Sequence, residues 1–392
     1  MAIKAKKAPK SAGKIARIPI VNVYMEGDYT GVINVGSQGK AANVILDTGS
    51  STLALDGHFY DPSTDKNAKI TDLAQEVQYG SGAWVGAVVL TDIAIGSGAQ
   101  AIALQQVNTA VAYVESKDMF AQANGILGLA YTRLDRAFTM PGPTWPPKYR
   151  YNQIQQGRST FVDPYFTQME AAGGVANKFA FYTRRSMVSN ATAKPLTDTL
   201  NQGFLILGGG EESTDLYTGK FQSVSVLDDA WYNTNLKAVI VGNTAPIEVP
   251  APTKASQNLT NSIVDSGTNS LTLDDDLFKT IATRLGTGDD TELTDAMRSG
   301  YLKTSSLNLA KWPAITFVMQ GPAGDVKLTV TPENYWQSDA PKKGYSTAVI
   351  FSDNGQLHGQ SILGLPLMNG YLTIFDRSVD RGLGVINFAT RK

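Results

Sequence analysis

Two short segments of the chain repeat one pattern, an aspartate followed by a hydroxyl residue, a glycine and a second hydroxyl residue. VILDTGSS at residues 44–51 places Asp47 after an apolar run, and IVDSGTNS at residues 263–270 places Asp265 in the same way. A single aspartate of this kind most often caps a turn. Two copies instead predict two structural halves that bring the aspartates together. Each copy is followed later by an apolar-apolar-glycine triplet, at 126–128 and at 362–364.

Two carboxyl groups at hydrogen-bond distance cannot both ionise cheaply, so they share one proton over an acidic to neutral range. The ionised member can take a proton from a water molecule held between them, while the protonated member donates to the carbonyl oxygen of an amide. This chemistry hydrolyses a peptide bond without a covalent intermediate. Asp47 and Asp265 are therefore the candidate catalytic pair, and Gly49 and Gly267 let backbone approach them closely.

The hydroxyl residues of the two turns are suited to support the pair. Ser50 and Thr268 can donate hydrogen bonds to the outer carboxylate oxygens. The hydroxyls of Thr48 and Ser266 can tie each turn to the backbone of the other. These roles follow from residue type and spacing alone.

The amino-acid composition excludes several other kinds of catalytic and structural site. The 392 residues include no cysteine and two histidines, His58 and His358, which excludes disulfides, thiol catalysis and cysteine-ligated metal centres. The histidines stand far apart and outside any ligand motif, so we predict no metal site and no cofactor. A chain of this length is expected to divide into two packed units, and its 37 glycines and 17 prolines indicate strands and turns.

Charge is uneven along the chain, although the formal net charge is −1. Residues 1–17 contain six basic residues and no acidic one. We expect residues 1–15 to form a disordered, solvated tail. The alternative is an electrostatic tether to nucleic acid or to an anionic membrane. Because the tail lacks aromatic residues for base stacking and the apolar runs are only strand-sized, we predict no nucleic-acid partner and no membrane partner.

Strands dominate the predicted secondary structure, and one hairpin is distinctive. Strands at 75–79 and 83–90 flank Gly80-Ser81-Gly82, which predicts a hairpin with a glycine turn. Residues 136–160, rich in proline and aromatic residues, form an inserted loop that either borders the site or packs on the surface. Helices are predicted at 275–285, capped by Asp274, and at 292–299.

These motifs together resemble the pepsin family of aspartic endopeptidases, over about residues 16 to 390. The resemblance implies an all-β, bilobal fold with pseudo-twofold symmetry and a few short helices. It implies an N-terminal lobe at 16–212 and a C-terminal lobe at 213–392. The matching motifs are both aspartate turns, Tyr79–Gly82, Asn124–Tyr131, Phe204–Gly209, Ser361–Gly364 and Tyr371–Arg377.

The resemblance also implies an activity. Asp47 and Asp265 would be the catalytic pair of an endopeptidase that binds an extended peptide between the lobes. An acidic pH optimum, large apolar residues around the scissile bond and inhibition by statine-type compounds are expected. Tyr79 would lie on a flap that closes over the peptide. The implied substrate-binding residues are Tyr79, Gly80, Ser81, Gly49, Gly267 and Thr268, and the implied support residues are Thr48, Ser50 and Ser266.

One position departs from the family pattern. Family members usually carry a tryptophan seven residues after the first catalytic aspartate, where it hydrogen-bonds the flap tyrosine. This chain has Ala54 there. We expect Trp84 either to replace that tryptophan or only to pack at the base of the flap.

The absence of cysteine, of a signal and of a long prosegment resembles the bacterial pepsin homologues. It predicts a monomeric cytoplasmic enzyme, or a periplasmic or secreted one if the chain is a processed fragment. The alternative function is a non-catalytic, peptide-binding or inhibitor-like protein on the same scaffold.

Overall fold

The structure is a computed structural model that describes residues 13–25, 27–80, 82–252, 260–285 and 300–392. The helix predicted at 292–299 and the flap residue Ser81 lie outside the described residues. So does the predicted tail, apart from residues 13–15.

One large sheet of fifteen strands runs through the molecule. Along the first strand of this sheet alternate residues are buried, namely Ala16, Ile18, Ile20 and Asn22. The first part of the chain supplies β1 (Ala16–Met25), β2 (Asp28–Val35), β3 (Lys40–Asp47), β4 (Leu53–Asp56), β5 (Lys69–Tyr79), β6 (Gly82–Ile95), β7 (Ile102–Glu115), β8 (Gly125–Gly128), β9 (Arg136–Thr139), β10 (Arg158–Phe161), β11 (Lys178–Tyr182) and β12 (Gln202–Leu207). The later part supplies β13 (Tyr217–Ser225), β26 (Tyr371–Asp376) and β27 (Val385–Arg391).

The strand order in this sheet is β10-β9-β5-β6-β7-β4-β8-β3-β2-β1-β12-β11-β26-β27-β13. The two parts of the chain meet where β11 pairs antiparallel with β26. Phe179 of β11 stacks on Phe375 of β26 with ring centroids 5.1 Å apart, so this junction is part of the main core. The predicted lobe boundary at 212/213 falls between β12 and β13 and stays a prediction.

Three smaller sheets complete the later part of the chain. A five-stranded sheet contains β14 (Asn233–Thr234), β17 (Ser262–Val264), β18 (Leu271–Leu273), β24 (Ile350–Ser352) and β25 (Ser361–Leu363). A four-stranded sheet contains β15 (Leu236–Val241), β16 (Ile247–Glu248), β20 (Ile315–Gly321) and β21 (Gly324–Val330). A three-stranded sheet contains β19 (Leu302–Lys303), β22 (Trp336–Ser338) and β23 (Tyr345–Ala348).

The sequence repeat reappears as a repeat in strand pairing. β3 runs parallel to β8, which pairs antiparallel with β4. In the same way β17 runs parallel to β25, which pairs antiparallel with β18. Both apolar-apolar-glycine triplets thus lie beside the strand that leads into an aspartate turn. The all-β prediction with two related halves is confirmed.

The described helices are short, and α2 (Asp275–Arg284) shows why its sequence is helical. Its N-cap Asp274 accepts hydrogen bonds from the backbone N–H groups of Asp276 and Leu277, as predicted. Leu277 and Ile281 are buried on one face. None of the helices in the described ranges is long and apolar enough to cross a membrane. The helices are α1 (Tyr165–Ala171), α2 (Asp275–Arg284), α3 (Pro332–Tyr335) and α4 (Leu365–Met368).

Candidate active site

The first aspartate turn holds its carboxylate from two sides. Asp47 is the last residue of β3 and is buried. The N–H of Gly49 donates to Oδ1 of Asp47 at 2.7 Å, and the hydroxyl of Ser50 donates to Oδ2 at 2.5 Å. The Asp47 carboxylate is therefore held in one orientation before a substrate binds.

The second turn repeats this arrangement. Asp265 directly follows β17 and is also buried. The N–H of Gly267 donates to its Oδ1 at 2.9 Å, and the hydroxyl of Thr268 donates to its Oδ2 at 2.6 Å. The predicted support from Ser50 and Thr268 is thus present in matching geometry.

Crossed hydrogen bonds join the two turns. The N–H of Thr48 donates to Oγ of Ser266 at 3.0 Å, and the N–H of Ser266 donates to Oγ1 of Thr48 at 2.8 Å. Each hydroxyl then donates to a carbonyl of the opposite strand, Thr48 to Val264 at 3.2 Å and Ser266 to Leu46 at 2.8 Å. All of these groups are buried, so breaking any one bond would leave an unpaired polar atom.

Each carboxyl group lies so close to the backbone of the opposite turn that only glycine fits there. A Cβ atom on Gly49 would lie 2.7 Å from both carboxylate oxygens of Asp265. A Cβ atom on Gly267 would lie 2.3 Å from Oδ1 of Asp47. Each turn therefore passes over the carboxylate of the other, as the repeat predicted.

Burial and mutual repulsion make ionisation of the pair costly. Burial raises the pKa of Asp47 well above its usual value, and the negative charge of Asp265 raises it further. The hydrogen bonds from Ser50 and Gly49 act against this shift without cancelling it. Repulsion between two carboxylates this close therefore favours a proton on Asp47.

A third carboxyl group stands in the same cleft. Asp28 begins β2, and its buried Oδ1 has no hydrogen-bond partner in the described structure. Burial raises the pKa of Asp28 well above its usual value, and the charges of Asp265 and Asp47 add to the rise. Asp28 is therefore favoured in its neutral, protonated form beside the catalytic pair.

The predicted flap is the β5–β6 hairpin, and it carries Tyr79 at its end. Tyr79 packs in one apolar cluster with Trp84 and Ala54. The hydroxyl of Tyr79 and the indole N–H of Trp84 are both buried, and neither makes a hydrogen bond of normal geometry within the described residues. Burial and the charge of Asp47 raise the pKa of Tyr79, while the nearby Trp84 and Ser50 groups lower it. Trp84 thus lies beside the flap tyrosine, close enough for its indole group to influence the Tyr79 hydroxyl.

The cleft between flap and turns has a volume of about 460 Å³. Two isoleucines from each half line it, in equivalent positions of the repeat: Ile45 and Ile126 from the first, Ile263 and Ile362 from the second. Gly80 lines it on the flap side. The described residues contain no group of three potential ligands close enough to hold a metal ion.

Comparison with known proteins agrees with this geometry. A family model described as eukaryotic aspartyl protease matches residues 28–389. The chain belongs to this family. It is 23% identical to pepsin A of Sus scrofa, over 95% of the chain and 85% of the relative. It is 25% identical to cathepsin D of Chionodraco hamatus and 24% identical to gastricsin of Homo sapiens, each over 94% of the chain and 82% of the relative.

The chain is thus an aspartic-type endopeptidase with a pepsin-like fold.

Three residues of the aspartyl protease site have no signal in the sequence. Asp28 and His358 line the cleft from a strand start and a loop, outside both repeats. Trp231 also lines the cleft, and its indole N–H donates to the carbonyl of Gly49 at 2.9 Å and so holds the first turn. A single polar residue outside a motif cannot be recognised from the sequence, because only the fold brings it to the site.

Proposed function

We propose that this protein hydrolyses peptide bonds with Asp47 and Asp265 acting as a general acid and general base on one water molecule. The observation that carries the proposal is the meeting of two buried carboxyl groups across crossed hydrogen bonds between Thr48 and Ser266. Such rigid positioning suits a reaction that needs two proton transfers at one carbonyl group.

In the proposed reaction the oxygen of a water molecule attacks the carbonyl carbon of the scissile amide. One water proton moves to the carboxylate of Asp265, and the carboxyl proton of Asp47 moves to the carbonyl oxygen. The carbon–nitrogen bond of the resulting tetrahedral diol then breaks. The proton held by Asp265 passes to the departing nitrogen, and a hydroxyl proton returns to Asp47.

The pair is proposed to share one proton in the free enzyme, drawn on Asp47 in this scheme, because burial and the charge of Asp265 both raise the pKa of Asp47. Activity requires that the pair hold one proton. Cleavage is therefore expected to decline as rising pH removes that proton and as falling pH adds a second one. An optimum on the acidic side follows, since both groups are carboxyls.

The substrate is proposed to be an extended peptide with large apolar side chains on both sides of the scissile bond. Four isoleucines line the cleft, and Met119 and Phe120 extend this apolar wall. Apolar side chains gain most from leaving water for such a surface. The flap hairpin offers Tyr79 and Gly80 beside the same space.

A fluorogenic peptide with apolar residues around its central bond tests this function. Cleavage between pH 3 and pH 7 should be strongest at acidic pH and should stop on addition of a statine-type inhibitor. The Asp47→Asn protein, prepared in parallel, controls for a contaminating protease. Tight binding of the peptide without cleavage across the whole pH range would favour the non-catalytic alternative instead.

A further inference from the structure

Residues 140–157, called here the brace, lie outside the cleft and against the back of the flap. Of the two roles considered for the inserted loop, packing is the one observed, since no described cleft-lining residue belongs to it. The loop connects β9 to β10, and β9 pairs with β5 on the side opposite β6. The flap is therefore not a free hairpin but an inner part of a wider sheet.

The brace covers the outer face of the flap with apolar side chains. Ala74 of β5 and Val85 of β6 belong to an apolar cluster on this face. Ile154 of the brace is fully buried in it. Val77, on the opposite face, packs instead with Tyr79 and Trp84 above the cleft. Further members of the outer cluster are Phe138, Met140, Tyr149 and Tyr151.

Polar contacts fix both strands of the flap close to Tyr79. The hydroxyl of Tyr151 donates to the carbonyl of Ala83 at 2.7 Å, and Ala83 pairs with Gln78, the residue before Tyr79. On the other strand, the carboxylate of Glu76 accepts hydrogen bonds from the brace. Its two donors are the N–H of Asn152 at 2.9 Å and Nε2 of Gln155 at 3.2 Å.

We propose that the brace holds the flap in the position in which Tyr79 faces the catalytic pair, and that Tyr151 and Glu76 are its positioning residues. An isolated two-stranded hairpin is marginally stable in water. A hairpin held on its outer face has less conformational freedom to lose when a peptide binds beneath it. The catalytic consequence of this inference rests on the proposed function, but the holding of the flap does not.

Hydrogen exchange of the flap amides in the free protein tests the holding directly. Tyr151→Phe and Glu76→Ala should each speed exchange at residues 77–79 and 82–85 roughly three- to tenfold, the usual worth of one or two hydrogen bonds. Glu76→Gln keeps one acceptor oxygen and should fall between Glu76→Ala and the parent protein. Tyr149→Phe, which removes a hydroxyl from the same brace, is the matched control and should leave flap exchange unchanged.

Steady-state kinetics then separate positioning from simple loss of structure. Tyr151→Phe and Glu76→Ala should raise KM for a long peptide more than they lower kcat, with melting temperatures close to that of the parent. Exchange no faster than in Tyr149→Phe would overturn the inference. Faster flap exchange in a protein that cleaves no peptide would leave the brace standing and would instead contradict the proposed function.

Discussion

The turn that holds Asp47 and the turn that holds Asp265 make the same hydrogen bonds to their carboxylates, in the same order. They differ in what covers them. The first half adds the flap with Tyr79, whereas the second half adds a loop that brings His358 to the cleft. The shared part thus provides two convergent carboxyls, and the unshared part gives the two sides of the cleft different chemical surroundings.

The two halves also differ in the contacts of the residue that lies five positions after each catalytic aspartate. Thr52, after the first turn, donates its hydroxyl to the buried carboxylate of Asp135 at 2.8 Å. Its counterpart after the second turn, Ser270, pairs only with the hydroxyl of Thr272, at 3.0 Å, among the contacts described. Asp135 also accepts from Gln75 of the flap strand at 2.6 Å. In the first half, the catalytic turn and the flap therefore share one buried acid.

The largest effect is expected from the part that the two halves share. Asp47→Asn and Asp265→Asn should each lower kcat by about 10⁴-fold, because neither carboxyl can carry both proton transfers. The double variant should lose little more than either single one, since the two groups act as a unit. Additive losses, measured by cleavage of the fluorogenic peptide, would show that the carboxyls act independently.

The two turn glycines should be equally sensitive. Gly49→Ala and Gly267→Ala each place a methyl group against the opposite carboxylate. Displacement of that carboxylate should cost roughly 100-fold in kcat/KM. Gly370→Ala is the control, because its added carbon meets its nearest atom, Nδ2 of Asn334, at an ordinary 3.4 Å. A large loss in only one of the two turn variants would break the equivalence of the halves.

Asp135 should make the stability of the protein depend on pH. Burial raises its pKa to about 6, against hydrogen bonds from Thr52 and Gln75 that lower it. The folded state therefore binds this proton more tightly than the unfolded state. The resulting stabilisation is complete below pH 4 and is lost as pH rises through 6, amounting to about 3 kcal/mol. Urea unfolding of Asp135→Asn should lack this slope, and a persisting slope would assign it to other groups.

The sequence could predict what is repeated and local. The convergence of Asp47 and Asp265 follows from two copies of one motif, and the helix cap at Asp274 follows from residue type and position. Asp28 could not be found in this way, because a lone aspartate at the start of a strand reaches the cleft only through the path of the chain. The sequence also could not decide whether residues 136–160 border the site or pack on the surface, because long-range contacts leave no periodic pattern in a sequence.

A smaller effect is expected from Asp28, which has no counterpart in the repeat. Burial and the charges of Asp265 and Asp47 favour the protonated form of Asp28, so Asp28 gains a charge only at the upper end of the working pH range. With this charge removed in Asp28→Asn, the high-pH limb of the pH–rate profile should move to lower pH while the low-pH limb stays in place. Asp215→Asn removes a surface carboxylate that pairs with Arg17 and is the control. An unchanged profile in Asp28→Asn would mean that Asp28 is protonated throughout the working range.

The smallest effect should come from Trp84, and it decides between the two roles considered for this residue. If its indole N–H bonds the hydroxyl of Tyr79 when a peptide is bound, Trp84→Phe should lower kcat/KM roughly two- to tenfold. Trp336→Phe is a matched control, because that tryptophan is also buried with an unbonded indole nitrogen in the described structure but packs against Trp312, away from the cleft. Both variants should lose a similar free energy of unfolding, because each replaces a buried indole by a smaller ring. An unchanged kcat/KM in Trp84→Phe would leave Trp84 a packing residue and the flap tyrosine anchored by other contacts.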